Sequence, residues 1–217
     1  MKLLAATSNP GKLAELVRAC AEEGEAPEFG MAFEIASLDG IRNIRPPEET
    51  GATYEENASL KAIYYSQFTG EAVLAEDSGL EVTALYGAPG VRSARYAGDG
   101  ASDEENNALL LRSMTGIEER GAQFVSVVAV AQRGILLAGS RGTVAGLILD
   151  APRGKNGFGY DPLFFYPPFG RTFAEVDPER KFQVSHRGNA LRSLVRAAPR
   201  EDWSYPRARS RIATPRG

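Results

Sequence analysis

One cysteine, Cys20, and one histidine, His186, are all that the 217 residues supply of either type. A lone cysteine excludes an internal disulfide framework and fits a reducing, cytoplasmic setting. Cys20 falls among apolar residues at helical spacing, so it reads as a packed thiol rather than a nucleophile. With so little thiol and imidazole, zinc sites built from His and Cys are all but excluded, and a metal would have to be held by oxygen. No apolar run nears the roughly 20 residues of a membrane-spanning helix, and the N-terminus shows no signal-peptide pattern. Excess charge is missing too. Lys and Arg number 25 against 28 Asp and Glu, a net charge of −3 that argues against a general nucleic-acid binder. The exception is local: "PRARSRIATPRG", residues 206–217, is basic and proline-containing. It reads as a flexible tail, with a polyanion-binding arm as the alternative.

What is present is an ordinary globular composition, 43% hydrophobic and 24% charged, in a chain long enough for one good-sized core. In "LLAATSNPGKLAEL", residues 3–16, a short apolar run gives way to small polar residues. Leu13, Leu16, Val17 and Cys20 then recur at helical spacing. The pattern predicts a strand, a tight turn and a helix with Asn9 as N-cap and Pro10 at its first position. Thr53-Tyr54-Glu55-Glu56 is a capping box opening a helix to about Phe68, and Ser102-Asp103-Glu104-Glu105 opens another that Gly116 ends. Between them, "AVLAEDSGLEVTALYG" predicts a strand from Ala72, a turn at Asp77-Ser78-Gly79 and a further strand or helix start. The valine-rich stretch broken at Arg133-Gly134 predicts two long paired strands. Leu191, Leu194, Val195 and Ala198 mark a last helix that stops before Pro199. The expectation is one α/β domain over residues 1–198, with a mixed, twisted sheet flanked by helices, and a tail over 199–217.

Charge is oddly placed at two helix starts. Lys12 sits in the first turn of the first helix, where the dipole is already positive, which is unfavourable by a few tenths of a kcal/mol. An anion held between Lys12 and free backbone amides would remove the conflict. No P-loop pattern occurs, however, and by itself the stretch fits an ordinary turn with a solvated lysine better. "VSHRGNALRSLV" repeats the conflict, with His186 and Arg187 directly after Ser185, a natural N-cap, and Arg180 and Lys181 just before. An anion site and a solvated basic cluster account for it about equally. Glu48 and Glu49 precede Thr50-Gly51, and Glu76 and Asp77 end an apolar run. Neighbouring strand residues point to opposite faces, so Glu76 and Asp77 are not a side-by-side pair. Asp77 is either a Mg²⁺ carboxylate at a strand end or a plain turn residue. Asn57 and Lys61 share a helix face, for which exposure is the simpler reading. "GKNGFGYDPLFF" sets glycines around Phe158, giving either a loop whose aromatic stacks on a purine or a hairpin with a core aromatic. "YGAPGVRSARYAG" is a long loop carrying Arg92 and Arg95.

Taken together and in order, "ATSNPGK", "EETGATYEENASLKA", "AEDSGLEV", "GAPGVRSARYAG", "GFGYDPLF" and "SHRGNAL" resemble the non-canonical purine nucleoside triphosphate pyrophosphatases, the inosine triphosphate pyrophosphatase family. The resemblance runs from residue 3 to about 195. It implies an elongated, two-lobed α/β fold with a curved mixed sheet, a nucleotide cleft between the lobes, and assembly as a homodimer. It implies Mg²⁺-dependent hydrolysis of ITP, dITP and XTP to the monophosphate and pyrophosphate, which clears damaged purines from the nucleotide pool. On this resemblance Thr7, Ser8, Asn9, Pro10, Gly11 and Lys12 hold the triphosphate, and Lys61 adds a second positive charge. Glu49, with Glu48 as its neighbour and alternative, and Asp77 bind the metal. Asp77 helps activate water, and Ser78 touches substrate. Phe158, Gly159, Tyr160, Asp161, Lys181, His186 and Arg187 surround base and sugar. Ser8 stands where glycine is more usual, and Glu76 where aspartate is.

The two readings meet in a mechanism in which water attacks the α-phosphorus and pyrophosphate leaves. Arg187 or a protonated His186 would meet the 6-oxo group of the base, where adenine presents a donor instead. The alternatives are a Maf-like pyrophosphatase acting on other modified nucleotides and a nucleotide-binding sensor without turnover.

Overall fold

The computed structural model describes residues 2–23, 34–38, 40 and 43–197, with side chains of the first helix described as far as residue 17. Cys20's side chain, Ala198 and the basic tail lie outside the described residues. Among the described residues, seven strands form one open mixed sheet in the order β2-β1-β3-β4-β5-β6-β7. β1 (Lys2–Ala5) lies parallel to both β2 (Glu34–Ser37) and β3 (Ala72–Val82). From β3 onward the ladder is antiparallel, through β4 (Gly121–Gln132), β5 (Ile135–Ile148), β6 (Phe164–Tyr166) and β7 (Arg171–Thr172). The expected pair of long strands is β4 and β5, joined at Arg133-Gly134, where both residues have positive φ.

Helices cover both faces, so β3 and β4 are buried almost throughout, as their valine runs require. On one face, α1 (Pro10–Glu23), α4 (Pro178–Val184) and α5 (His186–Ala197) bury Leu16, Phe182, Leu191 and Leu194 against Leu3, Leu74 and Val128. On the other, α2 (Tyr54–Tyr65) seats Ala58 and Ala62 on Val73, Ala75 and Val127. A third core, built on Leu110 of α3 (Asp103–Ser113) with Phe124, Phe164 and Phe173, fills the far end of the sheet. Both capping boxes form as the sequence predicts, at Thr53 and Ser102.

Two expectations are corrected. Asp77-Ser78-Gly79 is not a turn, because β3 runs straight through it, paired with β4 from Val73 to Val82. Gly79 is there for close approach. A Cβ on it would lie 2.3 Å from the Gly90 carbonyl oxygen and 2.6 Å from Ser93 Oγ, so only glycine lets the short helical segment Gly90–Arg95 pass over the strand. Val17 is 43% exposed rather than part of the buried stripe, and Glu15 is buried in its place.

Candidate active site

Strand β3 divides the site. Its even-numbered residues face α1 and α5, its odd-numbered residues face α2, and Glu76 and Asp77 therefore serve opposite sides, as strand alternation requires. Glu76 Oε1 accepts from Arg187 Nε at 2.8 Å and from Ser126 Oγ at 2.7 Å, while Oε2 lies 3.6 Å from Lys12 Nζ. The two cations that looked misplaced at helix starts thus converge on one carboxylate. Burial works against that charge, but Arg187 and Lys12 outweigh it and hold Glu76 well below the usual carboxylate range. Arg187, 1% exposed, also pairs with Glu15 and reaches Ser78 Oγ at 3.4 Å. Burial lowers the Lys12 ammonium below its ordinary value, with Glu76 opposing.

Across the strand, Asp77 Oδ1 and Glu49 Oε1 each sit 2.9 Å from Lys61 Nζ. Asp77 Oδ2 accepts from Asn57 Nδ2 at 3.3 Å, and Arg95 approaches Glu49 at 3.7 Å. Asn57 is fully buried and the Lys61 side chain is 12% exposed, so the expectation that this helix face is solvated is overturned. The one-turn step from Asn57 to Lys61 brings both onto Asp77. Burial raises the Asp77 carboxyl above its ordinary value even against Lys61, whereas Lys61 overcomes burial at Glu49 and lowers it. Glu48 is exposed, and it is Glu49 that shares a cation with Asp77.

At the start of α1, Asn9 is the cap that the sequence predicts. Its Oδ1 accepts from the Lys12 amide at 3.1 Å, its carbonyl accepts from Leu13, and its own amide donates to Thr7 Oγ1. The chain's own residues therefore satisfy these amides. Positive charge at this turn comes from the Lys12 side chain together with the helix dipole. Ser185 caps α5 in the same way, accepting from the Gly188 amide at 3.1 Å.

The nucleoside end is a loop wrapped around a carboxylate. Asp161 Oδ2 accepts from Lys181 Nζ at 2.6 Å and from the Phe158 amide at 3.0 Å, and Lys181 also meets Glu15 at 2.9 Å. Phe158 carries the Lys181 and Arg187 cations 5.1 and 5.7 Å from its ring centroid. Its ring packs on Gly11, where a Cβ would lie 2.8 Å from it, so the aromatic loop touches the Lys12 turn directly. Tyr160 is buried and donates its hydroxyl to the Ser93 carbonyl at 2.8 Å. His186 stacks on Phe124 with centroids 4.8 Å apart, and its buried Nδ1 has no partner among the described residues. Burial, then Arg187, pushes its imidazole well below the ordinary value, which favours Arg187 over a protonated His186, the two alternatives offered for meeting the base.

These groups border a cleft with about 640 Å³ of empty space, lined by Asn9, Lys12, Ser78, Phe158, Gly159, Tyr160, Asp161, Lys181, His186 and Arg187. Thr7, Ser8, Pro10 and Gly11 form the turn beside it; Asp77 of β3, with Glu49 and Lys61, lies on the α2 side of that strand. Sequence reasoning missed Glu15, Ser93, Asp103 and Asn106. Glu15 carried a signal, since it stands three residues after Lys12 on the same helix face. It is buried where Lys181 and Arg187 pair with it.

The Ham1 family model matches residues 3–197. A dITP/XTP pyrophosphatase of Exiguobacterium is 50% identical over 194 residues, covering 89% of this chain and 95% of its own. One from Thermus thermophilus is 48% identical, covering 98% of each. Among solved structures, a HAM1 protein from Coxiella burnetii superposes with a TM-score of 0.78 at 37% identity, covering 90% of this chain and 97% of its own. A nucleoside-triphosphatase / dITP/XTP pyrophosphatase from Mycobacterium abscessus gives 0.67 at 44% identity, covering 89% and 97%. A match this long, over the same open mixed sheet, leaves one conclusion: the chain belongs to the Ham1 family.

Proposed function

We propose that this chain is a nucleoside triphosphate pyrophosphohydrolase that converts non-canonical purine triphosphates, dITP, ITP and XTP, to the monophosphate and pyrophosphate, acting in the cytoplasm as a homodimer. The observation that carries the reading is the convergence of Lys12 and Arg187, from two dipole-positive helix starts, on the single carboxylate of Glu76 beside the cleft. The near-50% identical relatives named for dITP and XTP support the substrate class.

Charge balance points to a divalent cation entering with the substrate. Lys12, Lys61, Arg95, Lys181 and Arg187 are already matched by Glu15, Glu49, Glu76, Asp77 and Asp161. A triphosphate therefore brings excess negative charge. The donors fit Mg²⁺: Glu49 and Asp77 already aim oxygens at one cation, the Lys61 ammonium, and a magnesium site needs only one or two carboxylates with phosphates completing it. When bound, the ion screens the charge of the phosphates. Lys12 holds the phosphate chain at the start of α1, and Lys61 adds a second positive charge beside Glu49 and Asp77, the carboxylates that would hold the cation. Asp77, fixed by Asn57, orients water toward the α-phosphorus. Phe158 and Arg187 bound the base, with Arg187 held by Glu15 and Glu76.

Pyrophosphate release across ITP, XTP, GTP and ATP with Mg²⁺ tests the reading. Preferred turnover of ITP and XTP is expected; binding without release would favour a sensor, and preference for another modified nucleotide a Maf-like enzyme.

A further inference from the structure

The loop that carries Phe158 is fastened to α3 through both polar groups of one residue. The Gly159 amide donates to Asp103 Oδ2 at 2.6 Å, and the Gly159 carbonyl accepts from Asn107 Nδ2 at 3.0 Å. Asp103 and Asn107 are four apart in the first turns of α3, so they share a face and grip Gly159 from one side. Gly159 has φ +61 and Gly157 φ +76, and two such glycines would let the aromatic between them swing through many orientations. On its inner side, the Phe158 amide is tied to Asp161. The outer tie is α3, and that helix is itself immobilised: Asn106 accepts from the Ala97 amide at 2.8 Å and donates to the Ala94 carbonyl at 3.3 Å.

We infer that Asp103 and Asn107 are positioning residues that set the Phe158 ring for the purine base through Gly159; the inference rests on the functional reading above. An amide bonded to an ionised carboxylate is shorter and stronger than a neutral pair. Holding the ring in place beforehand removes an ordering cost that the substrate would otherwise meet on binding. A purely helix-stabilising role accounts for Asp103 less well, because Glu104 and Glu105 already place negative charge in the same turn.

The test is kinetic, with ITP as substrate and inorganic tripolyphosphate, which lacks base and sugar, as competitive inhibitor. Asp103→Ala and Asn107→Ala are each expected to raise KM about five- to tenfold, with kcat within about twofold, the signature of lost ground-state binding. The tripolyphosphate Ki should stay put. Asp103→Asn keeps an accepting oxygen but loses the charge, so its KM should fall well below that of Asp103→Ala without reaching wild type, while Glu104→Ala, which removes a charge from the same turn, should match wild type. An unchanged KM in both alanine variants, KM and Ki rising together, or no rescue by asparagine overturns the inference. Phe158→Ala separates it from the functional reading: if that variant raises KM while the α3 variants do not, the positioning claim falls and the enzyme assignment stands. If wild type releases no pyrophosphate from ITP, both fall.

Discussion

Replacing Glu15 by glutamine tests whether the buried charge network holds the site together. Burial raises the Glu15 carboxyl, but Arg187 and Lys181 outweigh it and carry its pKa from 4.5 to about 2. That fall corresponds to about 3 kcal/mol of stabilisation at neutral pH. Its side chain is 10% exposed, so solvent screens little of it. Glutamine keeps the shape and one acceptor, while Lys181 keeps Asp161 and Arg187 keeps Glu76. The expected loss is therefore about 2–3 kcal/mol, a fall in Tm of about 4–12 °C for a chain of this size. The sign with pH follows from the depressed pKa: the contribution is complete above 4.5 and drains away as pH falls toward about 2. Urea unfolding of both proteins should show the full gap at neutral pH and one narrower by about 1 kcal/mol near pH 3.5. A variant as stable as wild type at neutral pH, or a gap indifferent to pH, would refute the reasoning.

Other tests follow from single contacts. ¹⁵N NMR of His186, the chain's one histidine, should report a neutral imidazole from neutral pH down past 6, because burial and Arg187 oppose its proton; titration at the ordinary value of 6.5 would contradict this. Gly79→Ala should destabilise by about 1–3 kcal/mol, since its Cβ would meet the Gly90 carbonyl at 2.3 Å; an unmoved unfolding midpoint would show that the overlying segment yields freely. Lys12→Ala should weaken calorimetric binding of a non-hydrolysable ITP analogue by about tenfold or more; unaltered affinity would remove Lys12 from the phosphate site. Hydrolysis in ¹⁸O-water should label the monophosphate, whereas label in pyrophosphate would move the attack off the α-phosphorus.

Much of the frame was legible because local rules decide it. The two capping boxes, the hairpin at Arg133-Gly134 and the opposite facing of Glu76 and Asp77 all follow from spacing within one element. What failed depended on partners far along the chain. Asn57 and Lys61 looked solvent-facing until β3 placed Asp77 against them. Gly79 looked like a turn because glycine is the same letter whether it bends a chain or admits another segment above it. The conflict at Lys12 suggested a bound anion, though that stretch alone fitted a solvated lysine better. The anion on view is Glu76 of the chain itself, which no periodicity in either helix reveals. Glu15 was hidden for the same reason, as its cations lie more than 160 residues away in sequence.

Asp77→Asn is the most direct measurement, because it removes one charge at the point where Lys61, Asn57 and Glu49 converge and leaves the shape intact. The account predicts that pyrophosphate release from ITP with Mg²⁺ falls by about 100-fold or more in kcat while the variant remains folded. Turnover near the wild-type rate in a folded Asp77→Asn protein would contradict it.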